Sequence, residues 1–118
     1  MSNSIKIEVR QDHIDDGELE SATCCAIALA CEDSLLKHFK GKWNKDYGMY
    51  VDMNGYIDVM DNKNNKTAYS IELNDDAHLK VYEFIDNFDN QNEYFDNQKD
   101  IDECLQPFEF KGELKCRI

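Results

Sequence analysis

MYVDMNGYIDVMD, residues 49–61, decides the fold. Tyr50 to Met53 and Tyr56 to Met60 are two short runs of β-formers on either side of Asn54-Gly55, a pair that favours a two-residue type I′ turn between antiparallel strands. A polar stretch, Asp61 to Lys66, then leads into TAYSIEL, where Ala68, Ser70 and Glu72 alternate with Tyr69, Ile71 and Leu73. That alternation predicts a third strand, and with it a meander.

Working outward, Ile5, Ile7 and Val9 alternate with Lys6, Glu8 and Arg10 and predict an N-terminal strand. At the other end, Pro107 opens PFEFKGELKCRI, with Phe108 and Phe110 on one side and Glu109 and Lys111 on the other. This reads as a closing strand interrupted at Gly112. QDHIDDG, residues 11–17, reads as a turn-rich stretch with a short helical turn closed by Gly17. Ser21 to His38 reads as a helix whose centre, Cys24 to Cys31, is apolar all round, as in a helix buried on most sides. A second, amphipathic helix should start at the N-cap Asn74, carry Asp75 and Asp76 in its first turn, and bury Ala77, Val81, Phe84, Ile85 and Phe88. The expected fold is α+β: an antiparallel sheet packed against one buried helix and one amphipathic helix. The expected core comprises Ile7, Val9, Cys24, Ile27, Ala28, Leu29, Cys31, Leu35 and Val51, with Ile57, Val59, Ile71, Leu73, Val81, Ile85, Phe88, Phe108 and Phe110.

A chain of 118 residues with 42% hydrophobic and 32% charged residues fits one folded domain, residues 1–118. Its net charge of −12 disfavours direct contact with nucleic acid or an anionic membrane, since both carry the same sign. Five cysteines without a secretory leader pattern predict reduced thiols in the cytoplasm. They read as buried structural thiols. No apolar run approaches the roughly 20 residues of a membrane span.

The charge is concentrated. Ten acids lie between Asp75 and Glu103 against Lys80 and Lys99. Six of them, Asp86, Asp89, Glu93, Asp96, Asp100 and Glu103, follow spacings that would align on one side of a continuous helix. The Asn- and Asp-rich run after Phe88 argues for a helix end near Asn90 and a second helix from about Glu93 to Leu105, which would split the stripe into two patches. These six acids are the candidate partner-binding residues. The opposite patch, Lys37 to Lys45 around Phe39 and Trp43, reads as a lysine-rich loop after a helix end.

Asp52, Asn54, Gly55, Tyr56, Ile57, Asp58 and Asp61 resemble part of a calcium loop, but Tyr50 stands where the first acidic ligand belongs and Asp61 where the bidentate Glu belongs. His13, His38 and His78 are scattered and read as surface residues. There is no paired C-x-x-C, Gly-rich phosphate loop or nucleophile-base pattern, so no enzyme activity, metal or cofactor is expected.

VRQDHIDDG, the CCAIALA helix, FIDNFD and PFEFKGEL together resemble a group of small phage and prophage proteins, most without an assigned function. The resemblance implies a shared fold and supplies no catalytic residues. This chain departs from the pattern by an acidic insertion, Asn90 to Gln106. The resulting expectation is a small acidic interaction protein that binds a basic surface of a host protein and inhibits a nucleic-acid-binding defence factor in the host cytoplasm. The alternative is a small-molecule or calcium-binding domain built on the 52–61 hairpin.

Overall fold

The computed structural model describes residues 4–40 and 42–117. Five strands, β1 (Ser4–Val9), β2 (Tyr47–Val51), β3 (Ile57–Asp61), β4 (Lys66–Glu72) and β5 (Phe108–Cys116), form one antiparallel sheet in the order β1-β5-β4-β3-β2. The meander β2-β3-β4 is present, and the closing strand inserts between it and β1. Ile7 faces Phe110, and Ile71 faces Leu114. The inward residues of β1, Ile5, Ile7 and Val9, are buried, while Lys6 and Glu8 are exposed.

The helices are α1 (Gln11–Asp16), α2 (Ala26–Phe39), α3 (Asp75–Asp89), α4 (Gln91–Tyr94) and α5 (Gln98–Cys104). α2 touches both β1 and β2, the two edge strands. In a flat sheet, four steps of about 4.8 Å would hold these edges ~19 Å apart, wider than a helix of about 10 Å. The sheet therefore curls around α2. That enclosure is why Ala26, Ile27, Ala28, Ala30 and Cys31 are all buried. α3 begins at the N-cap Asn74, whose side chain accepts the Ala77 N–H at 2.8 Å. It touches the β2–β3 loop through His78 and reaches β5 through Phe84, whose ring lies 5.2 Å from that of Phe108. Of the expected core residues, Cys24, Leu29, Leu73 and Phe108 are half-buried and the others are buried.

Several local expectations are corrected. The β2–β3 turn is a five-residue loop, because Val51 pairs with Ile57 and Asn54 lacks the positive φ that a type I′ turn needs. The Asp52 carboxylate organises it by accepting the N–H groups of Asn54 and Tyr56, and Gly55 alone in the loop takes a positive φ, 87°. α2 starts five residues later than Ser21. The preceding segment instead offers the Ala22 carbonyl to the Val51 N–H at 2.7 Å, covering the edge of β2, while the Ser21 hydroxyl accepts the Cys24 N–H. α2 also runs on through Lys37 to Phe39, so only part of the lysine-rich stretch is loop. A bulge sets Met60 opposite Thr67 and Val59 opposite Tyr69, which leaves Ala68 unmatched and buried, against its expected side. β5 is not interrupted at Gly112, which faces Ile5 with Ile71 and Leu73 packed closely over it.

Candidate functional site

The acidic stretch does not form one stripe. α3 ends at Asp89, α4 is a single turn, Phe95 is extended, and the Asn97 side chain caps α5 by accepting the Asp100 N–H at 2.9 Å. The expected helix from Glu93 to Leu105 is thus broken where Phe95, Asp96 and Asn97 intervene. Asn and Asp side chains bond the backbone locally and favour such breaks. Asp86 and Asp89 lie on α3, Glu93 on α4, Asp96 in the connection, and Asp100 and Glu103 on α5. The last four are exposed. Ile101 and Leu105, both buried, fasten α5 to the core and set its charged side outward.

Among the described residues, none of the ten acids from Asp75 to Glu103 pairs with a cation. The cations that do pair are elsewhere: Lys6 with Glu8 and Glu109, Arg10 with Asp12 and Asp33, Lys115 with Glu113, and Arg117 with Glu72. The ion pairs gather on the sheet and on α1 and α2, and the α3–α5 side is left with its charge.

Asp86 and Asp89 line a groove of about 630 Å³ between α3, the β2–β3 loop and the segment before α2. Glu20 and Asp52 join them on its rim, and among the described residues no Lys or Arg lines it. Asp86 accepts the Tyr94 hydroxyl at 3.2 Å and the Asn90 side-chain N–H at 3.1 Å. Asp89 accepts the backbone N–H of Glu20 at 2.9 Å, and burial pushes its carboxyl above the ordinary carboxylate range. Tyr50, Met53 and Tyr82 also line the groove although each is a large side chain left exposed. Residue patterning gave one usable sign of this groove. Tyr82, Asp86 and Asp89 recur at helical spacing and share a face. Glu20 gave none, because its position depends on an αL backbone, φ 55°, and on a partner far along the chain.

The hairpin carboxylates each hold a partner. Asp52 accepts two loop N–H groups, Asp58 accepts the Ser70 hydroxyl at 2.9 Å, and Asp61 accepts the Asn64 side-chain N–H at 2.7 Å and the Lys63 N–H. The Asn64 contact, followed by the backbone donors, holds the Asp61 carboxyl below its ordinary range. Among the described residues, the one group of three His, Cys, Asp or Glu ligand atoms lying within 4.8 Å of one another is Asp12, His13 and Asp33. That group is occupied by a cation already. The Arg10 guanidinium contacts Asp12 and Asp33.

His13 is not a surface residue: it is 3% exposed. Its Nδ1 accepts the Arg10 backbone N–H at 3.0 Å, so in the neutral ring Nε2 carries the hydrogen and donates to Asp33 at 2.6 Å. The thiols also divide. Cys25 and Cys31 are buried, with burial raising the pKa of each, whereas Cys24 is half-buried and Cys104 and Cys116 are exposed. No helix of the described residues is long and apolar enough to cross a membrane. No protein-family model, characterised protein or solved structure matches the chain.

Proposed function

We propose that this chain is an acidic interaction protein that binds a basic protein surface through its α3–α5 side. The observation that carries the reading is the unpaired charge: ten acids, no ion pair among the described residues, on a side whose backbone is folded and capped. Like charges on neighbouring turns each cost a few tenths of a kcal/mol. A partner presenting Lys and Arg relieves that repulsion and is drawn in faster by it. Asp86 with Asp89, and Asp100 with Glu103, stand about one helical turn apart, a spacing suited to basic side chains that otherwise receive successive phosphates. With the resemblance to small phage proteins, this favours a host nucleic-acid-binding factor, met in the host cytoplasm, as the partner that the chain inhibits. The hairpin offers calcium little, since among the described residues Asp52, Asp58 and Asp61 belong to no group of three ligand atoms that lie within 4.8 Å of one another.

The test is capture of basic host proteins on the immobilised chain, followed by calorimetric titration of the captured protein with the wild type and with a Glu93→Gln, Asp96→Asn, Asp100→Asn, Glu103→Gln variant. Binding should weaken in the variant, and also on raising the salt from about 0.05 to about 0.5 M, which shortens the Debye length. Equal binding by both proteins at both salts rejects the reading.

A further inference from the structure

We propose that the groove between α3 and the β2–β3 loop receives an arginine side chain of the partner. This rests on the reading above and gives it an address. The floor is apolar, with the buried Cys25, Val51 and Ile85, and the rim carries Glu20, Asp52, Asp86 and Asp89, with no lysine or arginine lining it among the described residues. An anionic ligand finds no counter-charge there. A bare metal ion finds carboxylates spread around a rim, and none of them belongs to a convergent ligand group among the described residues. What fits is a cation carried on an apolar stem, which lays its methylenes on the floor and its charge at the rim.

The exposed aromatic rings narrow the choice to a guanidinium. Tyr82 is 43% exposed and Tyr50 45%, and both line the groove beside Met53, which is 74% exposed. A planar guanidinium can stack on a tyrosine face while donating in fork geometry to a carboxylate; an ammonium offers a single point charge. Tyr82 and Asp86 lie four residues apart on α3, hence on one face, so ring and carboxylate can act on the same cation. Asp89 adds support, because burial disfavours its ionised form and a docked cation would favour it.

The experiment is fluorescence anisotropy with a labelled, end-blocked hexapeptide carrying two arginines between leucines, beside counterparts with lysine or citrulline at those positions. The arginine peptide should bind, the citrulline peptide should not, and Tyr82→Ala and Asp86→Asn should each weaken binding about 5- to 30-fold. An Asp100→Asn, Glu103→Gln variant on α5 should change it by less than about twofold, since those exposed charges lie outside the groove. Circular dichroism and urea midpoints confirm that each variant is folded, and Asp86→Asn preserves side-chain shape if Tyr82→Ala does not fold. Equal binding of the lysine peptide overturns the guanidinium assignment. Undetectable binding of the arginine peptide, or unchanged binding by both groove variants, overturns the groove itself. If the groove variants bind unchanged while the α5 variant weakens binding, the groove fails and the broader acidic-face reading stands.

Discussion

Asp89 Oδ1 accepts the backbone N–H of Glu20 at 2.9 Å, across 69 positions of the chain. The bond ties the end of α3 to the segment ahead of α2 and holds Glu20 at the rim of the groove. Because burial raises the Asp89 pKa in the folded state, the folded protein keeps that proton more tightly than the unfolded chain does. The contribution to stability is therefore fully present below the ordinary carboxylate pKa, and it declines as pH rises from that value through the folded one. Asp89→Asn keeps an acceptor for Glu20 and removes a half-buried charge, so it should gain a few tenths of a kcal/mol at neutral pH, a figure kept small because solvent still reaches the group. Asp89→Ala should instead lose about 0.5–1.5 kcal/mol with the hydrogen bond. Urea titrations at about pH 4 and pH 7 check both; a loss of stability by Asp89→Asn at pH 7 contradicts the account.

The contrast between α3 and the groove shows what was legible in the sequence. Asn74, the two first-turn acids and the spacing from Ala77 to Phe88 all act within a few turns, so local periodicity sufficed to place the helix and its buried face. The α+β class, the meander and the five strands were legible for the same reason. The insertion of β5 between β1 and β4 was not, since it joins residues about a hundred positions apart. Likewise, the burial of His13 depends on Asp33 twenty residues on, and the break at Phe95 to Asn97 depends on side chains competing for backbone groups. The six acids were identified as a charge pattern. Which two of them face a groove was decided by Glu20, Tyr50 and Asp52, on other elements.

Asp33 keeps the buried imidazole of His13 satisfied. Asp33→Ala would leave the Nε2–H without its 2.6 Å partner and should cost about 1–3 kcal/mol, whereas Asp33→Asn retains an oxygen acceptor and should cost less. Chemical denaturation of the two variants gives the ordering. An equal loss would show that the hydrogen bond is not what Asp33 contributes. Zinc should leave the wild-type melting temperature unchanged, because Arg10 already sits on Asp12 and Asp33.

Gly112 is required by close packing within the sheet. A Cβ there would clash with Ile71 Cγ2 and approach Leu73 Cδ2 to 3.0 Å, inside contact distance. Gly112→Ala should destabilise the protein by about 1–3 kcal/mol, as overpacking does in well-filled cores. Pairing it with Ile71→Ala should cost less than the sum of the two single losses, since the nearest clashing atom is then removed. If the single variant is as stable as the wild type, β5 must sit farther from β4 than the structure places it.

Charge and anchoring are separable on α5. A helix of seven residues does not hold itself together in water and needs tertiary contacts. Here they come from Ile101, 8% exposed, and Leu105, 3% exposed, helped by the Asn97 cap. Ile101→Ala should cost about 2–4 kcal/mol through lost burial and the cavity left behind. Its first sign should be local, with faster amide exchange across 98–104 while α2 keeps its protection, because a short peripheral helix opens before the enclosed one. Neutralising Glu93, Asp96, Asp100 and Glu103 touches neither anchor and relieves like-charge repulsion, so that variant should be as stable as the wild type or slightly more so. Hydrogen exchange on the two variants distinguishes the cases. Were the neutralised protein to lose α5 while Ile101→Ala kept it, the acids would be holding the helix in place, and they could not at the same time be the unpaired charges offered to a partner.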